Sequence, residues 1–299
     1  MPSAAPIVLF VYARPDHTRR TIEALALNEL ADHSDLIVYA DAARNESEAV
    51  KVRAVRELVN AASGFRSLTV IERETNYGLA RNIIEGVTDV CNRYGRAIVL
   101  EDDIVTSPHF LSYMNNALDR YAGEPRIWHI SGWNVTIGIE KENRAFAWRM
   151  MECWGWATWS DKWRFFRKDT NFLMGAINPD EKRRFNLDGY VDYFSQILAN
   201  ANKEINTWAV YWYATIFLND GLCISPYQSL VSNIGLDGSG LHCGRSRSLA
   251  QMHLGGQVDR WPDGIYEDVE VVSKIKRYHK KQNSVILRLW RFFFPGSVV

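Results

Sequence analysis

From residue 7 to about 130 the chain alternates short apolar runs with segments whose apolar residues recur every three or four positions. That alternation predicts βαβ units and a largely parallel sheet. The first run, Ile7-Val8-Leu9-Phe10-Val11-Tyr12, has no polar break, as a strand buried on both faces requires. Asp16 is the expected cap of the helix after it. A second strand, Leu36 to Ala40, ends at Asp41, and Val52, Val55, Leu58 and Val59 mark the next helix. Leu68 to Ile71 is a third strand. Past Asn76-Tyr77-Gly78-Leu79, a helix gathers Ile83, Ile84, Val87, Val90 and Cys91 on one face. The fourth strand, Ala97 to Leu100, runs straight into Glu101-Asp102-Asp103. Ser107-Pro108 then gives the cap and first turn of a helix carrying Phe110, Leu111, Met114 and Leu118.

Beyond Ile130 this pattern stops. Nine of the eleven tryptophans lie between Trp128 and Trp212, interleaved with glycine and charged residues, so the second half is not another pair of βαβ units. Most of these rings are expected in a core, although Trp and Tyr also wall pockets and stack on sugar faces. No repeat or low-complexity linker separates the halves, which predicts one continuous body.

With 299 residues, 47% hydrophobic and 23% charged, the composition is that of a globular protein, and 35 Lys+Arg against 35 Asp+Glu leave no basic surplus for nucleic acid. The balance hides an asymmetry. Residues 271–299 hold seven Lys/Arg and no acid, so the other 270 carry a formal charge of 0 − 7 = −7. Cys91, Cys153, Cys223 and Cys243 form no C-x-x-C pair, which argues against a zinc site and fits a reducing cytoplasm. The opening residues lack the basic region of a signal peptide, and no apolar run reaches the roughly 18 residues of a bilayer span.

The acidic triplet carries the chemistry. Glu101-Asp102-Asp103 falls at the carboxyl end of a buried strand, the edge where open α/β sheets bind ligands. Side chains alternate along an extended backbone, so one or at most two of the three carboxylates can reach a single ion. Mg²⁺ or Mn²⁺ accepts such a sparse protein shell and completes it with water and phosphate oxygens. The competing reading is a solvated acidic turn that caps the helix near Ser107.

Val99-Leu100-Glu101-Asp102-Asp103-Ile104, followed by Pro108-His109-Phe110, resembles the metal motif of GT-A-fold glycosyltransferases, above all the α-mannoside β-1,2-N-acetylglucosaminyltransferase I family and the bacterial inverting enzymes of family two. Val11-Tyr12-Ala13-Arg14 with Thr18-Arg19-Arg20 resembles the first nucleotide-contacting loop. Asn76-Tyr77-Gly78-Leu79-Ala80-Arg81-Asn82 is similar to the N-x-G-x-x-x-N loop, and Trp128 to Asn134 and Gly155-Trp156 match in order. The likeness spans roughly residues 5–245 and implies an α/β, GT-A-like, Rossmann-type and mostly parallel sheet flanked by helices. It divides the chain into a nucleotide-sugar-binding half (1–130), a Trp-rich acceptor-side half of the same catalytic domain (131–270) and a basic aromatic tail (271–299).

The resemblance further implies that Asp103 binds Mn²⁺ or Mg²⁺, Asp102 the ribose and Glu101 the transferred sugar, with Arg14 and Asp41 at the nucleotide. Asn76, Gly78 and Trp156 join the donor contacts. The donor is then a nucleotide sugar, a UDP-sugar by analogy, and the metal stabilises the departing diphosphate. The run Asn233-Ile234-Gly235-Leu236-Asp237-Gly238-Ser239-Gly240-Leu241-His242 resembles the loop that orders over the donor, with Ser239 a donor contact and His242 a further metal contact.

An inverting transfer needs a carboxylate to take the acceptor's proton. The acidic pair that the mannoside family sets beside a tryptophan is missing around Trp208, where Asn206-Thr207 and Ala209-Val210 stand. Asp192 and Glu204 are the substitutes by position, Asp192 first, with Asp161, Asp188 and Asp220 behind them. A sugar-nucleotide nucleotidyltransferase is the alternative enzyme, although Ala13-Arg14-Pro15-Asp16 lacks the glycines its triphosphate loop needs. A non-catalytic sugar-binding or scaffold relative is the third reading. Lys274, Lys276, Arg277, Lys280 and Lys281, followed by Val285 to Phe294, predict either attachment to an anionic membrane surface, the inner face of the membrane, which would bring the enzyme to a lipid-linked acceptor, or packing of the Trp and Phe rings on the protein's own core. A glycan or glycolipid acceptor in surface polysaccharide or glycoconjugate synthesis is implied by the resemblance to bacterial enzymes.

Overall fold

The unbroken apolar run at the start of the chain is β1 (Ile7–Val11), buried at all five positions. It leads into α1 (Pro15–Ala26), where Pro15 suits the first helical position because its missing N–H would have no helical partner. Asp16 lies in that first turn but binds Arg19, so the expected Asp16 cap is not made. The alternation continues through β2 (Asp35–Ala40), α2 (Glu46–Asn60), β3 (Ser67–Glu72), α3 (Gly78–Tyr94) and β4 (Arg96–Glu101). Asn45 caps α2 by accepting the Glu48 N–H, and α3 stops at Gly95, whose φ of 78° favours glycine. The computed structural model describes residues 4–135, 143–237 and 253–282.

β1 pairs in parallel with β2 on one side and β4 on the other, and β2 pairs with β3. The chain steps outward from β1 to β3 and then returns across the sheet to β4. Right-handed crossovers therefore put α3 on the face opposite α1 and α2. Gly86 lets α3 settle on the stacked rings of Phe10 and Tyr39, where a Cβ would lie 2.7 Å from Phe10. This reversal makes the carboxyl ends of β1 and β4 a switch point, the place where open sheets leave a crevice.

β5 (Ile104–Thr106), unforeseen from sequence, follows the triplet, and α4 (Phe110–Arg120) begins two residues later than Ser107-Pro108 predicts. The second half contributes β6 (Ile127–Ser131), β7 (Ala145–Trp148), β8 (Trp156–Trp159), α5 (Ser160–Trp163), α6 (Thr170–Ala176), α7 (Pro179–Phe185), α8 (Phe194–Ala201), α9 (Ala209–Leu218), β9 (Leu222–Pro226), β10 (Val231–Asn233) and α10 (Val269–Gln282). The main sheet runs β3-β2-β1-β4-β8-β6-β9-β7, with β8 antiparallel to β4 and β6, and β7 antiparallel to β9. One sheet thus passes through both halves. β10 pairs with β5, so residues 231–233 approach the acidic edge.

Aromatic packing fills the second half. Trp156 is 1% exposed and stacks on Trp208 and His129 at centroid distances of 5.2 and 5.3 Å. Three residues on, Trp159 points to the other face and donates to the Leu118 carbonyl of α4 at 3.2 Å. α9 is buried from Val210 to Phe217 and has no solvent face. Buried His129 is pushed down to about 3 by loss of hydration, so the ring is neutral. It lies 3.0 Å from the Glu152 carbonyl through Nε2 and accepts the Trp212 indole N–H on Nδ1.

α10 buries Val271, Val272 and Ile275. Arg149 pairs with Asp188 and Glu267, each at 3.0 Å, and Lys276 reaches the same Asp188, which ties α10 to the body. Lys274 pairs with Glu270, so two of the five basic residues expected to face a membrane are matched within the protein, while Arg277, Lys280 and Lys281 stay exposed. Residues 283–299 lie outside the described residues. No described helix is long and apolar enough to cross a membrane.

Candidate functional site

A cleft of about 390 Å³ opens at the switch point. Its walls come from the end of β1 and the loop after it (Phe10 to Arg14), from Asp41 after β2, from the start of α3 and from Glu101, Asp102 and Asp103. The solvated-turn reading of the triplet does not hold. Asp102 and Asp103 are only 3% and 6% exposed, and neither carboxylate has a hydrogen bond to α4.

Arg14 makes this burial tolerable. Its guanidinium binds the Asp102 carboxylate and lies 2.9 Å from Asp103 Oδ2, while the Thr21 hydroxyl donates to the Asp102 carbonyl at 2.9 Å. One cation between two buried acids leaves the third uncompensated. Burial pushes the Glu101 carboxyl up to about 8, and the charges of Asp103 and Asp102 push in the same direction. Asp102 is raised to about 6 by burial, against the pull of Arg14. Such a site favours an added cation.

Gly235 completes the acidic corner. The Ile234 N–H donates to the Asp103 carbonyl at 2.9 Å, and a Cβ on residue 235 would collide with Asp103 Oδ2 and sit 2.9 Å from Arg14 Nη1. Residue 235 therefore packs directly against the Asp103 carboxylate and the Arg14 guanidinium, and any side chain there would displace them. No group of three potential metal-binding side chains occurs among the described residues. Mg²⁺ or Mn²⁺ nevertheless needs few protein ligands and takes most of its shell from water and phosphate, so the Asp103 carboxylate on the cleft wall would be the one to hold it. Ser239 and His242, expected at donor and metal, lie outside the described residues.

Asp41 has a different environment from the one expected of a free nucleotide contact. Its Oδ1 accepts from the backbone N–H of Ala42 and Tyr77, and its Oδ2 from Gly78 N–H and the Asn76 side chain, at 2.8–3.1 Å. Four donors fill the acceptor sites of a carboxylate. Asp41 thus anchors the start of α3, which begins at Gly78 with φ 69°. Asn76 is held by the same anchor and by the Ala42 carbonyl, at 2.6 Å. Arg73 binds Asn82 and, with Arg81, sandwiches the Tyr77 ring, so the whole loop is fixed.

Three expectations are corrected by placement. Trp156 is core and does not line the cleft; Trp154, two residues earlier, is the partly exposed ring, standing edge-on to Trp133 at 4.8 Å. Asp192 accepts from the Asn186 side chain and the Ser195 N–H, holding the start of α8. Glu204 accepts from the Asn202 side chain in the turn after α8, and neither acid lines the cleft. Tyr12, named only as part of the first-loop motif, lines it, as do Arg44, Glu48 and Lys51, which the sequence did not single out. Their signal was positional: the end of β1, the β2–α2 loop and the first turns of α2 all face the same switch point.

No family model matches the chain, and no curated protein matches it. Among solved structures it is similar to the mannosyltransferase PcManGT from Pyrobaculum calidifontis in complex with GDP-Man and Mn²⁺, at 12% identity over 73% of this chain and 71% of that one, with a TM-score of 0.38. It is also similar to S. aureus TarS, at 13% identity over 42% of this chain and 21% of TarS, with a TM-score of 0.31. Likenesses this distant leave the chemistry to be argued from the site itself.

Proposed function

We propose that the protein is a GT-A-fold glycosyltransferase that moves a sugar from a nucleotide sugar, a UDP-sugar in our reading, to a glycan or lipid-linked acceptor with inversion at the sugar. The observation that carries the proposal is the Glu101-Asp102-Asp103 edge on the cleft wall at the switch point, with Asp102 and Asp103 buried, joined by Arg14 and packed against Gly235. So many carboxylates repel a bare diphosphate. A divalent cation held by Asp103 reverses that sign and, when bound, supplies the positive charge that stabilises a departing diphosphate.

The chain's own residues divide the remaining work. Arg14 presents a charged guanidinium at the mouth of the acidic corner, where it orients Asp102 and Asp103. In this reading Asp102 accepts from ribose hydroxyls and Glu101 from hydroxyls of the transferred sugar; both line the cleft. Asp41 and Asn76 fix the loop that shapes the nucleoside end. Trp154, partly exposed just before β8 and edge-on to buried Trp133, offers an aromatic surface to an acceptor sugar. Asp192 and Glu204 receive no chemical role, because their carboxylates hold local backbone and side chains away from the cleft.

A lipid-linked acceptor suits the exposed Arg277, Lys280 and Lys281 on α10 and the acid-free sequence that follows them, which would hold the enzyme against the inner membrane face. Incubation with a panel of nucleotide sugars and Mn²⁺ tests the activity. Release of the nucleoside diphosphate from at least one donor, abolished by a chelator, is expected. No release from any of them would contradict the enzyme reading and favour a sugar-binding protein.

A further inference from the structure

Two carboxylates stand at the nucleoside end of the cleft, and only one has acceptor capacity left. Asp41 is saturated by four donors of its own loop. Glu48, in the first turn of α2, uses Oε2 alone, which accepts from the Tyr12 hydroxyl and from the Arg44 backbone N–H at 3.3 Å. Its Oε1 takes part in neither bond, and the side chain remains 27% exposed on the cleft wall.

The surroundings narrow what that oxygen would meet. The Tyr12 ring supplies an aromatic surface, with the Arg44 guanidinium 5.2 Å from its centroid, and Lys51 lines the same wall. One free carboxylate oxygen between cations and beside an aromatic ring complements a flat heterocycle that shows a ring N–H next to a carbonyl. The carboxylate accepts the N–H, and Arg44 or Lys51 donates to the carbonyl. A base with an unprotonated ring nitrogen at that position would set a lone pair against the carboxylate.

Resting on the nucleotide-sugar reading of the cleft, we propose that Glu48 reads the nucleobase and selects those with a ring N–H beside a carbonyl, uracil or guanine, over cytosine and adenine. Asp41 is then a positioning residue whose loss affects every nucleotide alike. The acid in the expected place after β2 builds the loop, and the acid seven residues later does the discriminating.

Calorimetry of the full chain with UDP, GDP, CDP and ADP in Mn²⁺ tests this. The wild type is expected to bind UDP or GDP at least about tenfold more tightly than CDP and ADP, the scale of one hydrogen bond to a charged group. Which of the two is tighter tells uracil from guanine. Glu48→Gln keeps an oxygen for Tyr12 and Arg44 but also offers an N–H, so the preference should shrink to within about threefold while the melting temperature holds. Asp41→Asn should weaken all four nucleotides by a common factor. An unchanged preference in Glu48→Gln, a wild type without preference, or a preference altered by Asp41→Asn instead would each overturn the assignment to Glu48. Binding of none of the four by the wild type would overturn the donor reading as well.

Discussion

The two halves of the single sheet use polar and aromatic residues in opposite ways. In the first half, β1 and β2 end in apolar residues and β4 runs apolar from Ala97 to Leu100, and their carboxyl ends then present Arg14, Asp41 and the acidic triplet, which opens with Glu101 as the last residue of β4, together at one edge. The chemistry sits where the strands end. In the second half the distinctive residues are packing residues: Trp156, Trp163, Trp208 and Trp212 interlock in the interior, and Trp159 packs on the other face of the sheet. There, an unusual residue marks packing. The difference teaches that position relative to a strand's carboxyl end is a better guide to function in this molecule than rarity of the residue type.

The sharpest contrast should appear on removing a ring from the second half. Trp156→Ala deletes a fully buried indole stacked on Trp208 and His129, which is expected to cost about 3–5 kcal/mol of stability. Nucleotide affinity of the folded fraction should be unchanged. Denaturant unfolding together with nucleotide titration checks both parts, and a loss of affinity without loss of stability would return Trp156 to the donor site.

These residues also show what could be read in advance. β1, β2 and β4 were legible because both-face burial leaves a continuous apolar run, while edge strand β3 showed only the shorter run Leu68 to Ile71; the triplet stood out because three acids follow the β4 run directly. Asp41 lines the cleft after β2, but the four bonds that saturate it come from residues 76–78 and 42, a tertiary arrangement with no local signature. Trp154 and Trp156 are two residues apart, and sequence alone cannot tell which ring the local backbone turns inward. β5 and β10 escaped notice because three-residue strands carry no periodicity. Gly235 lay within a visible glycine-rich run, yet its contact with Asp103 arises only from the β5–β10 pairing.

A smaller effect is expected at the carboxyl end of the chain. Each exposed Lys or Arg adds on the order of 1 kcal/mol near an anionic surface, so Arg277, Lys280 and Lys281 support only weak, salt-sensitive attachment without the aromatic residues beyond. Co-sedimentation with anionic and neutral vesicles should show the full chain preferring anionic ones. A chain truncated after Gln282 should retain a reduced preference. Equal partition of the full chain between the two vesicle types would remove the membrane from the proposal and leave α10 as a docking helix.

The most direct test of the acidic edge is calorimetry of a nucleoside diphosphate with and without Mn²⁺, comparing the wild type with Asp103→Ala. The wild type should bind only with the metal, and Asp103→Ala, which removes one side chain at a strand end and not a core residue, should lose that metal-dependent binding while its melting temperature stays close to the wild type's. Metal-dependent affinity that survives in Asp103→Ala would contradict the assignment of this edge as the cation and diphosphate site.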